Sequence, residues 1–288
     1  MLISVTTTRM TEFFEALRSS TVLQNALLAG LLSSVACGVV GSYVVTKRIS
    51  YIAGALAHCV LGGLGMARYL EIVWGWEWIT PLHGALFAAL IAVGIIGFVT
   101  LRVGEREDTI IGAVWAIGMA IGILFIQATP GYAQDLEGYL FGNILFVSAQ
   151  DLWLIVILDI LVVTVSLVFY KPLLAICFDE EFARLRGVRV ELYYLLLLGL
   201  VAVTVVLLLS LVGIILVIAL LTLPAAIANR FSATLGWMML LATVFCGVFT
   251  TSGLALSYGP ELPVGATIIM VTGVAYLGVT LLSAVLRR

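Results

Sequence analysis

The sequence predicts an all-α polytopic membrane protein with about nine transmembrane helices, eight to nine by the spacing of its charges. Composition is the first reason. Hydrophobic residues make up 63% of the chain, charged residues 10%, and the mean hydropathy is +1.22. A soluble domain carries roughly a quarter charged residues, so this chain lacks the means to cover a water-facing surface. The second reason is distribution, because long uncharged runs separate the charges. Those runs are continuously apolar and do not alternate, which disfavours a β-barrel.

The crossings follow in order. Residues 1–20 mix polar and apolar side chains, and Phe13, Phe14 and Leu17 can share one face, as in a segment lying at the membrane interface. This is no cleavable signal, because a full uncharged span follows and the chain goes on crossing. Ser34, Val35, Ala36 and Cys37 make a poor lipoprotein match. No charge occurs between Arg18 and Lys47, Arg48 and Arg68, Glu77 and Arg102, Asp108 and Asp135, Arg230 and Glu261, or Glu261 and Arg287. Each gap holds about 19 to 30 residues, enough to cross ~30 Å of hydrocarbon. The gap from Glu191 to Arg230 would make a single helix of about 57 Å. It therefore divides into two crossings that turn near residues 210–213, the second bent by Pro224. The run from Asp151 to Tyr170 is interrupted only by Asp159. The expected spans are 22–45, 51–70, 81–101, 109–128, 151–170, 192–210, 213–229, 234–256 and 264–285, within one transmembrane domain of residues 1–288.

Orientation follows from the basic residues. Loops 46–50, 102–108, 171–190 and 230–233 and the C-terminus hold Lys47, Arg48, Arg102, Arg106, Lys171, Arg184, Arg186, Arg189, Arg230, Arg287 and Arg288. Loops 71–80, 129–150 and 257–263 hold no Lys or Arg. Only Arg9, Arg18 and Arg68 fall toward that second side. The first set is therefore expected in the cytoplasm. The outer loops carry Glu71, Glu77, Asp135, Glu137 and Glu261, and Trp74, Trp76 and Trp78 suit an interfacial aromatic belt.

Several chemistries are excluded. Residues 41–47 come nearest to a phosphate-binding Walker A loop, but Thr46 stands where its second glycine belongs. No G-x-S-x-G frame occurs, and His58 and His83, the two histidines, form no H-E-x-x-H. Cys37, Cys59, Cys177 and Cys246 stand singly in or beside apolar runs, as small packing residues do. No basic patch with interleaved aromatics points to nucleic acid. An enzyme is therefore not expected.

Ionisable groups within the membrane are the functional candidates. His58 lies eight residues beyond Ser50, about 12 Å into the second span. Gly54 and Gly62 flank it at i−4 and i+4, where they let another backbone approach and leave room for an ion. The other reading of His58 is a neutral imidazole bonded to a neighbouring helix. Asp159 is the second candidate, expected protonated or bonded to a Ser, Thr or Tyr of another helix. His83, beside Pro81 at the outer mouth of the third span, is either an entry ligand or a partly solvated histidine.

Residues 178–187 (FDEEFARLRG) are unlike the other loops. Phe178, Phe182 and Leu185 fall at i, i+4 and i+7 and predict an apolar stripe on one short helix. Asp179, Glu180 and Glu181 in its first turn and Arg184 and Arg186 in its last suit the helix dipole, and Gly187 is a natural C-terminal stop. Such a knob fits a groove in a partner protein, or lies on the bilayer surface.

Four stretches together resemble the membrane subunit of metal-ion ATP-binding-cassette importers, the zinc/manganese or ABC-3 permease family, over residues 23–282. They are residues 41–50 (GSYVVTKRIS) leading into 57–63 (AHCVLGG), 107–112 (EDTIIG), 139–148 (YLFGNILFVS), and 178–187 with 220–226 (LLTLPAA) and 261–265 (ELPVG). The resemblance implies a permease fold similar to that of vitamin and siderophore importers. It also implies a bacterial or archaeal inner-membrane complex of two copies of this chain, two cytoplasmic ATPases and an extracytoplasmic metal-binding protein. The permease itself binds no cofactor. A divalent metal is its substrate, and ATP is bound and hydrolysed by the partner subunit. By the same resemblance, residues 178–187 are the helix that couples to the ATPase. The family's pathway motif places an Asp four residues before a His. His58 matches the His, and Gly54 stands at the Asp position. A secondary transporter relaying protons through His58 or Asp159 is the alternative, but it needs no cytoplasmic docking helix. A siderophore or vitamin permease would share the fold without the His motif.

Overall fold

The computed structural model describes residues 13, 15–76, 78–103, 107–130, 144–260 and 262–286. Phe14, Arg9, the loop residues Glu77, Arg106, Asp135, Glu137 and Glu261, the stretch 139–143 and the C-terminal Arg287 and Arg288 lie outside the described residues. The helices are α1 (Thr21–Lys47), α2 (Ser50–Trp74), α3 (Pro81–Phe98), α4 (Glu107–Ala128), α5 (Ala149–Val168), α6 (Tyr170–Phe178), α7 (Glu180–Leu185), α8 (Val190–Val212), α9 (Ile214–Phe231), α10 (Leu235–Tyr258) and α11 (Val264–Leu286). A π-helical turn, Val99–Val103, extends α3. Among the described residues nine helices are long and apolar enough to cross a membrane, and none is a strand. They coincide with the expected spans to within a few residues.

The ends are set by local chemistry. Ser148 caps α5 reciprocally with Asp151: its Oγ accepts the Asp151 N–H at 3.3 Å, and its own N–H donates to the Asp151 carboxylate at 2.9 Å. Thr234 caps α10 by accepting the Trp237 N–H at 3.3 Å. The long uncharged gap does divide in two, at a single residue. Gly213 has φ 88° and ψ 160°, which suits a residue without Cβ, and α9 starts immediately after it. That helix runs through Pro224 without a break.

α1, α2, α8 and α9 are buried over most of their length, whereas only 11% of α11 is buried. The first four form the centre and the others surround them. Between membrane helices, association depends on close packing rather than on excluding water. The α2–α3 contact shows how: a Cβ on either Gly63 or Gly84 would run into the other's carbonyl oxygen.

Two expectations about the stretch 171–190 are corrected. It is not a loop carrying one helix, because α6 and α7 both lie in it. The stripe is also split. Phe178 ends α6, Asp179 is extended at φ −155° and ψ 106°, and α7 begins only at Glu180. The reason is Asp179. Its carboxylate accepts the Phe182 N–H at 2.9 Å, so it serves as the N-cap of α7 and cannot continue α6.

At the N-terminus, residues 15–19 are helical. Phe13 is buried and packs edge-on against Tyr258, with ring centroids 5.9 Å apart.

Candidate ion pathway and docking face

The face of α2 that carries Gly54, His58 and Gly62 turns toward α4. The His58 ring stacks on Trp115, with centroids 4.7 Å apart and planes 14° from parallel. Tyr51 stands at the other side of this aromatic group, 6.1 Å from the Trp115 ring. Gly54 makes the stack possible: a Cβ there would sit 3.3 Å from Cζ3 of the indole. The space beside Gly54 is thus filled by Trp115 and not left open. Gly62 serves the same helix contact one turn on, where a Cβ would meet the Gly118 carbonyl oxygen at 2.7 Å. The His58 Nδ1 is buried and meets no hydrogen-bonding group of the protein among the described residues. His58 is therefore held by stacking, with that nitrogen not tied to a neighbouring helix.

An apolar cavity of about 550 Å³ runs from Cys59 and Gly62 to the α2–α3 loop, where Trp76, Trp78 and the exposed His83 line it. His83 Nδ1 lies 2.8 Å from the Thr80 hydroxyl and accepts the Thr80 N–H at 3.3 Å, so this ring closes the N-terminus of α3. Asp159 lies elsewhere. It is buried on α5 against α1, where its carboxylate accepts the Ala36 N–H at 3.1 Å. The partner is thus a backbone amide rather than a hydroxyl, and among the described residues the second carboxylate oxygen has no hydrogen-bond partner.

At the α6–α7 corner, the three apolar side chains of the split stripe all face outward. Phe178 is 72% exposed, Phe182 52% and Leu185 87%, while Ala183 between them is fully buried. Arg186 lies over the Phe182 ring at 5.1 Å. The helix ends in a Schellman closure: Gly187, at φ 79°, donates to the Arg184 carbonyl at 3.0 Å, and Val188 donates to Ala183 at 3.0 Å. Arg184 pairs with Glu191 at 2.9 Å and Glu180 with Lys47, which anchors α7 at both ends; Glu181 stands between them in the first turn.

Sequence reasoning missed Trp115, Tyr51 and Lys47 as members of these sites. A signal for Trp115 was present, because Ile111, Trp115, Gly118 and Gly122 follow at i, i+4, i+7 and i+11 and make the one face of α4 where small residues flank an indole.

The sequence matches the ABC 3 transport family over residues 19–283. A protein of Chlamydia trachomatis described as "Probable metal transport system membrane protein" is 42% identical over 251 residues, which cover 87% of this chain and 85% of that one. The manganese transport system membrane protein MntC of Halalkalibacterium halodurans is 32% identical over 267 residues, covering 93% and 89%. Among solved structures, a chain of PsaBC from Streptococcus pneumoniae in complex with Fab superposes with a TM-score of 0.81 at 29% identity, covering 93% of this chain and 94% of that one. The nine apolar helices, their order and these matches lead to one assignment: the chain is a membrane subunit and belongs to the ABC 3 transport family.

Proposed function

We propose that this protein is the permease of an ATP-driven importer that passes a divalent metal ion, Mn²⁺, Zn²⁺ or Fe²⁺, from an extracytoplasmic binding protein to the cytoplasm. As a membrane subunit of this family it is not the enzyme of the complex, since ATP is hydrolysed by a separate subunit. The observation that carries the reading is the docking face. Three apolar side chains exposed on a capped and doubly anchored α6–α7 corner suit a groove in a cytoplasmic ATPase. The names of the relatives support a metal as cargo, and manganese among metals.

In this reading two copies of the chain enclose the pathway, and His58 is its transient ligand. A single imidazole suits brief contact with a borderline divalent ion, not a closed site. Weak binding is what conduction requires, because the ion must also leave. Gly54 and Gly62 let α4 come close enough for Trp115 to set the imidazole. Asp159 stands apart from this stack, and its part in the pathway rests on its burial alone.

The test is uptake of radiolabelled Mn²⁺, Zn²⁺ and Fe²⁺ into liposomes holding permease, ATPase and binding protein. Uptake is expected only with all three components and ATP. Uptake by the permease alone, driven by a proton gradient, would establish the secondary transporter instead.

The orientation is tested separately. In a variant freed of the four native cysteines, Leu262→Cys is expected to react with an impermeant thiol reagent added outside whole cells, and Ala233→Cys is not. Both positions are exposed loop residues, so the reverse pattern would invert the topology drawn from the basic residues.

A further inference from the structure

The ion pair between Lys47 and Glu180 anchors one end of α7 and lies apart from the exposed apolar side chains of the docking face. We infer that it is a coupling strut, which ties α7 to the turn between α1 and α2 and passes a displacement of α7 to the helix that carries His58. This rests on reading α7 as the ATPase-docking helix.

The two anchors of α7 differ in kind. Arg184 and Glu191 are both more than half exposed, so water and salt weaken their attraction. The Lys47 side chain is only 14% exposed and Glu180 39%. A lysine so far out of water depends on its counter-ion. The Cys177 thiol packs beside both charges, and burial pushes it up to about 12, with the Lys47 ammonium acting the other way. It therefore stays neutral at physiological pH and leaves Glu180 as the anion for Lys47.

What lies behind Lys47 gives the pair its use. Lys47 is the last residue of α1. Arg48 follows at φ 64°, the only non-glycine residue at positive φ among those described, in a conformation that L side chains rarely adopt. The Ile49 N–H closes back on the Val44 carbonyl at 3.0 Å, and α2 begins at Ser50. Only this tight turn separates the strut from α2, and His58 lies about 12 Å further along the same rigid rod. A packed helix shifts as a body. A push on α7 therefore reaches the His58–Trp115 stack through two residues of backbone, without a flexible link.

The experiment measures Mn²⁺ uptake and ATP hydrolysis together, in liposomes holding the permease with its ATPase and binding protein. Glu180→Gln and Lys47→Met are each expected to raise the ATP hydrolysed per ion imported by about tenfold, with the ATPase still co-purifying. The double variant is expected to be no worse than either single one, because both remove the same contact. Glu180 is partly exposed and Gln keeps its shape, so that variant carries the test if Lys47→Met does not insert. A wild-type ratio in Glu180→Gln overturns the strut, and so do additive losses in the double variant. Loss of ATPase from Glu180→Gln also overturns it, making Glu180 a docking residue. Failure of the docking reading itself shows elsewhere, as full ATPase association and transport in Phe182→Asp.

Discussion

His58→Ala is expected to lower ATP-driven metal uptake by about tenfold or more, with expression and ATPase assembly unchanged. A divalent ion entering the membrane must be stripped of water, which is costly unless a protein donor replaces it. At the depth of His58 the walls of α2 and α4 offer glycine, alanine, leucine, indole and the Cys59 thiol, and the imidazole is the nitrogen donor facing Trp115. Its Nδ1 is buried with no partner among the described residues, so removing the ring breaks no hydrogen bond to that atom and leaves the helix contacts of Gly54 with Trp115 and of Gly62 with Gly118. His58→Gln separates the two roles. Gln fills the space and can hydrogen-bond, but it is a poor ligand for these ions. A structural histidine would be rescued by Gln, whereas a ligand would not. Gly54→Asp rebuilds the carboxylate of the family's motif, yet here its Cβ meets the indole at 3.3 Å. Trp115 must therefore give way by a few tenths of an ångström, and the variant is expected to impair transport unless Trp115→Ala is combined with it. Wild-type uptake by His58→Ala at matched protein levels removes His58 from the mechanism.

Phe182→Asp is expected to uncouple the permease while leaving it folded. Phe182 is half-exposed on α7 and contributes nothing to the membrane core. In a small docking interface one aromatic anchor is worth about 2 kcal/mol or more, roughly a thirtyfold change in affinity. A carboxylate adds a charge that must be desolvated on docking, so Asp exceeds Ala in effect. The cap from Asp179 and the closure at Gly187 do not involve the Phe182 side chain, so α7 persists in the variant. Co-purification of the ATPase and metal uptake report the outcome. Undiminished association and transport in Phe182→Asp would remove α7 from the interface.

Much of the architecture was legible because the bilayer imposes it. Every backbone group must be satisfied within a span, so charge-free stretches of sufficient length become helices wherever they fall. This is why the division of the gap between Glu191 and Arg230 came within a few residues of Gly213. The stretch 171–190 was less legible. A period of three to four residues from Phe178 to Leu185 reads as one helix, and nothing in that period says that Asp179 will use its carboxylate to cap the next helix and so break the previous one.

The sequence by itself determined that this chain lives in a membrane, which segments cross it, and that one apolar span carries a histidine while the stretch 178–187 carries an apolar period. These depend on composition and local spacing, which a linear chain displays directly. Only the tertiary structure decided what each of those groups meets. It set Trp115 from α4 against His58, placed Asp159 against the Ala36 amide and away from that stack, and paired Glu180 with Lys47 across more than a hundred residues. Such partners are chosen by how helices pack, through close approaches like those at Gly62 and Gly63, and packing is a property of surfaces in contact that no single helix carries.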